Sequence, residues 1–117
     1  MLVAHLNAEN LSNFIDTHSI AILDFWAEWC APCLAFAKTF DKVAQQYSEI
    51  GFGKVNIQTH PELSELFQIR SIPHLIIFKE GIAIYSDSGS LPESNFIDLI
   101  EQAISADVSK IKSEKGE

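Results

Sequence analysis

Positions 20–26 read Ile-Ala-Ile-Leu-Asp-Phe-Trp, apolar throughout except at Asp24. A run this short and continuous predicts a central strand covered on both faces. The period then changes. Cys33, Phe36, Ala37, Phe40, Ala44 and Tyr47 fall on one helical stripe, with Lys38, Asp41, Lys42, Gln45 and Gln46 opposite. That pattern predicts a long helix over 31–47, beginning inside a cysteine motif. Residues 51–57 predict a second buried strand and residues 2–6 a short edge strand. Leu11, Phe14 and Ile15 recur at helical spacing within 7–16, with Asn7 as the expected cap. Thr59-His60-Pro61-Glu62 and Ser90-Leu91-Pro92-Glu93 each fit a capping box with proline in the first turn. Residues 74–78 and 82–85, joined by Lys79-Glu80-Gly81, predict a hairpin. Phe96, Leu99, Ile100 and Ala103 give a last helix its core face. Strands alternating with helices predict an α/β layered domain.

The 117 residues are the size of one domain, and 47% hydrophobic content supports one substantial core. No repeat or linker divides the chain. Residues 1–108 are expected to form the domain, and the charged "SKIKSEKGE" of 109–117 a frayed tail. The 16 acidic and 8 basic side chains leave a net charge of −8, which argues against nucleic-acid phosphates or an anionic membrane as partner. The first basic side chain is Lys38, so the N-terminal stretch lacks the charged start of a secretory signal. Asp24 stops the apolar run far short of the roughly 18 residues that a membrane span needs. A cytoplasmic monomer is the expectation. In a reducing compartment, two close cysteines point to catalysis or metal binding rather than to a structural staple.

Both cysteines lie in Cys30-Ala31-Pro32-Cys33, between the buried strand and the long helix. The unpaired N–H groups and partial positive charge of a helix's first turn stabilise a thiolate at Cys30. Cysteines so placed fall from a pKa of about 8.5 to roughly 3.5–7.5. Pro32 presents no N–H and stiffens the loop. Cys33, about one turn in, should face the protein. The outer sulfur would attack a partner's disulfide and the inner one resolve the mixed disulfide. Three other readings compete. A structural disulfide across two residues closes a tiny loop and stabilises little. Half of a zinc site could draw on His5, His18, His60 or His74, but no second ligand pair has metal-site spacing. Two inert core cysteines fit poorly with Trp29 and Pro32 framing the motif. No metal is expected.

"DFWAEWCAPC" (24–33) resembles the active-site segment of the thioredoxin family, whose usual tetrapeptide is Cys-Gly-Pro-Cys. "KVNIQTHPEL" (54–63) resembles that family's second buried strand and short helix. "IRSIPHLIIFKEG" (69–81) resembles its cis-proline loop and hairpin, and "GSLPESNFIDLIE" (89–101) its closing helix. The similarity covers about residues 1–107. It implies a thioredoxin fold, a central mixed β-sheet with α-helices on both faces. It also implies protein-disulfide reduction with no bound cofactor, electrons coming from NADPH through a flavin-containing thioredoxin reductase. Carried over by residue, Cys30 is the nucleophile, Cys33 the resolving thiol, Asp24 a buried acid beneath them, Lys54 a lysine near that acid, and Pro73 a cis proline facing the sulfurs.

Physical chemistry supports some of these roles and leaves others open. Asp24 stands between Leu23 and Phe25, so burial should raise its pKa. Poised near neutrality, it would accept and return the Cys33 proton; the alternative is a structural carboxylate satisfied by nearby donors. Lys54 either tempers that shift or snorkels off a strand end. Trp29, Ala31, Pro32, Ile72, Pro73 and the loop at Gly89 would form a shallow apolar docking face, where the Ile72 backbone pairs with an extended client segment. Ala31 replaces the commoner glycine, Leu34 a basic residue, Lys38 a kinking proline, and His74 the usual threonine. His74 either lends an imidazolium to the thiolates at low pH or does nothing special. A client-specific reductase or isomerase, and a binding module that keeps the fold without turnover, are the alternative functions.

Overall fold

In the computed structural model, which describes residues 2–109, strands and helices alternate. They run β1 (Val3–His5), α1 (Leu11–Thr17), β2 (Ile20–Trp26), α2 (Ala31–Ala44), β3 (Gly51–Asn56), α3 (Pro61–Leu66), β4 (His74–Lys79), β5 (Ile82–Ser88) and α4 (Glu93–Ser105). The five strands form one mixed sheet in the order β1-β3-β2-β4-β5. β1 and β2 both lie parallel to β3, whereas β4 is antiparallel to β2 and β5.

β2 takes the centre because its residues are apolar on both faces. Ile20 and Ile22 enter the layer under α2 and α4, with Phe36, Phe40, Val43, Phe96 and Ile100. Ala21, Leu23 and Phe25 enter the opposite layer, with Leu11 of α1 and Leu63 of α3. The two-residue period of a strand therefore puts Asp24 and Trp26 on the α2 side. Beneath α2 and α4, the rings of Phe36, Phe40, Phe52 and Phe96 interlock, with centroids as close as 5.4 Å. Each fully buried aromatic ring contributes roughly 2–3 kcal/mol of transfer free energy, so this cluster anchors the helix that carries the cysteines.

The ends of the helices depart from expectation. α1 begins at Leu11 rather than at Asn7. The Asn7 Oδ1 accepts the N–H groups of Glu9 and Asn10, and the Asn10 Oδ1 accepts that of Asn7, so Asn7 shapes the turn before the helix. α2 stops at Ala44, and Gln45 to Tyr47 continue as tight turns bonded three residues back. Neither capping box forms. Pro61 is itself the first residue of α3, so the cap falls on His60, and the Thr59 hydroxyl donates to Asn56 O at 3.2 Å instead. α4 starts one residue later relative to its proline, with Pro92 as the cap. In the β4–β5 hairpin, Glu80 and Gly81 both have positive φ (50° and 81°), the two-residue turn that matches strand twist. Val108 is buried, and residues 110–117 of the expected tail lie outside the described residues.

One lysine secures the end of α4. Lys79 Nζ donates to the carbonyls of Ala103 at 2.9 Å, Ile104 at 2.8 Å, and Ala106. A cation here satisfies orphan carbonyls and opposes the negative end of the helix dipole. Lys79→Met keeps the apolar stem and loses these bonds, so it should destabilise the fold by about 2 kcal/mol. An unchanged urea midpoint would show that the clamp contributes nothing.

Candidate active site

Cys30 is the N-cap residue of α2, with an extended backbone (φ −95°, ψ 101°). Its sulfur accepts the N–H of Cys33 at 3.2 Å, which occupies one of the unpaired donors of the first turn. Pro32 sits in that turn, and Cys30 and Cys33 are joined as a disulfide. Cys33 is the more enclosed of the two, as expected. Yet Cys30 is itself only 4% exposed, against 1% for Cys33. The reason is packing: Ala27, Trp26, Ile57 and Ile72 close around the pair. Ala31, Pro32 and Leu34 are exposed, and Trp29 is 67% exposed.

The cis peptide Ile72-Pro73 brings a second loop to the sulfurs. Sγ of Cys30 lies 3.8 Å from the carbonyl oxygen of Ile72, to which a reduced Cys30 thiol would donate. Pro73 O accepts the N–H of Gly89 at 2.8 Å, which ties the Gly89 loop to the proline loop. Gly89 has φ +116°, a conformation that disfavours a side chain. Beside Trp29 and Ile72 runs a shallow groove of about 420 Å³, also lined by Ile57, Ile69, Arg70 and Ser71. Sequence reasoning missed those last four. The apolar pair Ile69 and Ile72 flanking Arg70 was the available signal.

Asp24 is fully buried, and neither carboxyl oxygen has a partner among the described residues. Burial pushes its pKa up to about 7, with Lys54 pulling it down and Asp41 pushing it further up. A structural carboxylate satisfied by donors would show the opposite pattern. Lys54 is the register partner of Asp24 on β3. Its ammonium, however, pairs with Asp41 of α2 at 3.5 Å and lies 5.8 Å from the Trp26 ring centroid. Periodicity alone places Asp41 on the polar face of α2 and carries no sign of this pairing.

His74 bonds elsewhere. Its Nε2 lies 2.8 Å from the Ser86 hydroxyl and its ring meets Phe25 edge-on. Burial lowers its pKa more than Asp87 raises it, so an imidazolium forms here less readily than on a free histidine. Among the described residues, no three of His, Cys, Asp or Glu come together as metal ligands. No described helix is long and apolar enough to cross a membrane.

The sequence model of the thioredoxin family matches residues 2–102. The chain belongs to the thioredoxin family. It is 37% identical over 101 residues to a thioredoxin of Chlamydia caviae, covering 86% of this chain and 98% of that relative. It is also 37% identical over 89 residues to thioredoxin 1 of a Nostoc species, covering 75% and 83%. The structure of Plasmodium falciparum thioredoxin superposes with a TM-score of 0.78 at 27% identity, covering 85% of this chain and 97% of that one. A Halobacterium salinarum thioredoxin mutant shares the fold with a TM-score of 0.81 at 22% identity, covering 86% and 89%. Membership and the Cys30–Cys33 disulfide make the chain a thiol–disulfide oxidoreductase with a redox-active pair at the start of α2. They imply disulfide-bearing clients and a reductase that restores the dithiol.

Proposed function

We propose that the chain reduces protein disulfides with Cys30 as the attacking thiolate, Cys33 as the resolving thiol and Asp24 as the proton carrier. The observation that carries this order is the Cys30 sulfur at the helix cap, accepting the Cys33 N–H. A thiolate there gains the charge-assisted form of that hydrogen bond. Cys30 attacks one client sulfur, the client S–S bond breaks, and the departing client sulfur takes up a proton. Cys33 gives its proton to the Asp24 carboxylate and attacks Cys30 Sγ. The second client thiolate leaves, two electrons have moved to the client, and Cys30–Cys33 is re-formed. Asp24 suits the proton step because a carboxyl with a pKa of about 7 exchanges protons readily in the neutral range. Lys54 tempers that value.

Clients dock as extended segments against Trp29 and Ile72, which line the groove, and against Ala31, Pro32, Pro73 and Gly89. The enclosure of both sulfurs favours a narrow segment over a bulky surface. Electrons come from NADPH through a flavin-containing reductase. Residues 1–108 act as one monomeric domain in the cytoplasm.

Alkylation of the fully reduced protein tests the order. With limiting iodoacetamide, mass spectrometry should find Cys30 modified first, with a rate that titrates below the ordinary thiol value of about 8.5. Preferential labelling of Cys33 would reverse the assignment.

A further inference from the structure

Asp24 and Lys54 are partners in the parallel register of β2 and β3, so both side chains leave the sheet on the α2 face. Lys54 is the natural counter-ion for the buried acid. Its ammonium is nonetheless 3.5 Å from Asp41 Oδ1, while both Asp24 oxygens lack a partner among the described residues. The difference lies in exposure. The Asp41 side chain is 56% exposed and that of Lys54 11%. Asp41 therefore offers Lys54 a partner near solvent, where an ion pair carries little desolvation penalty. A pocket of about 300 Å³ opens on this pair, with His5 and Gln45 on its rim. Such a pair adds little stability. Its consequence is where it leaves the cation.

We propose that Asp41 is a positioning residue for disulfide exchange: it holds the Lys54 ammonium toward the surface and so keeps that cation from neutralising Asp24. The effect on exchange rests on the reading of Asp24 as proton carrier. The charged and titratable groups around Asp24 are few. β3 supplies Lys54 and α2 supplies Asp41, the two charges that act on Asp24. The cap and first turn of α2 supply the two thiols once reduced, and β1 supplies His5 in the pocket beside Lys54. β4 and α4 line this layer with Leu75, Ile77, Phe96 and Ile100. Removing the Asp41 charge deletes a repulsion and frees an attraction, and both changes favour ionised Asp24.

The test titrates Asp24 by carboxyl carbon NMR in the oxidised protein, where the cysteines do not ionise. Asp41→Asn should lower the Asp24 pKa by about half a unit to one unit, the modest end of charge effects for a partly exposed partner. Asp41→Glu should restore it. The acid limb of the exchange rate should move with it, and in an Asp24→Asn background Asp41→Asn should leave the pH profile unmoved. An Asp24 pKa that stays or rises in Asp41→Asn overturns the inference. A pKa that falls while the rate profile stays put keeps the hold on Lys54 but overturns its role in exchange, and defeats Asp24 as proton carrier.

Discussion

Cys30→Ser is expected to reduce insulin-disulfide turnover by more than about a thousandfold, the scale of loss when a covalent nucleophile is removed. Cys33→Ser should lose turnover as completely, but differently. Its Cys30 still sits at the α2 cap, so the first attack proceeds and a mixed disulfide with the client accumulates. Intact-mass spectrometry under non-reducing conditions reads this directly: one client adduct per Cys33→Ser molecule, and none for Cys30→Ser. The asymmetry follows from the two environments. Cys30 has the helix-cap bond and the Ile72 carbonyl beside it, and is the less enclosed sulfur. Adducts on Cys30→Ser alone would exchange the two roles.

Much of this architecture is legible in one sequence because two periods separate cleanly. The continuous apolar run at Ile20–Trp26 marks the central strand, and the stripe through Phe36 and Phe40 marks the face α2 buries. The cysteine pair is legible for the same reason, since the change of period falls within the motif. Helix starts are less so: the cap falls one residue later than the box pattern puts it in α3 and two residues later in α4, and neither capping box forms. The cis bond at Pro73 has no local signature, and only the family resemblance anticipated it.

Contacts between elements are the part that sequence order hides. Asp41 and Lys54 meet because α2 crosses β3, a relation that no periodicity on either element expresses. His74 shows the converse. Opposite Leu75 in the antiparallel register lies Asp24, and opposite His74 lies Phe25. One residue of register therefore places His74 on the far face from Asp24, where it meets Phe25 and Ser86. The identities of these residues were plain, but their faces needed the pairing.

That same burial makes Asp24→Asn a test with a sign. The Asp24 carboxyl titrates at about 7 in the folded chain and at about 3.9 when unfolded. A raised pKa means that folding favours the protonated acid. Its full stability is therefore present below about pH 4 and is lost as pH rises through about 7, where ionisation opposes burial by roughly 4 kcal/mol. Asparagine cannot ionise, so Asp24→Asn and the parent should unfold at similar guanidinium concentrations at pH 4. By pH 8 the variant should be the more stable by about 3–4 kcal/mol. The same substitution should slow disulfide exchange near pH 7 by up to about a hundredfold, the low end for an acid–base group. With Asp24 as the proposed proton carrier, stability and rate should move in opposite directions, the trade expected of a buried acid kept for proton transfer. Equal stability at every pH would mean that Asp24 is not held in the protonated form by burial. A stabilised variant with unchanged turnover would remove Asp24 from the chemistry and leave the exchange to the two sulfurs alone.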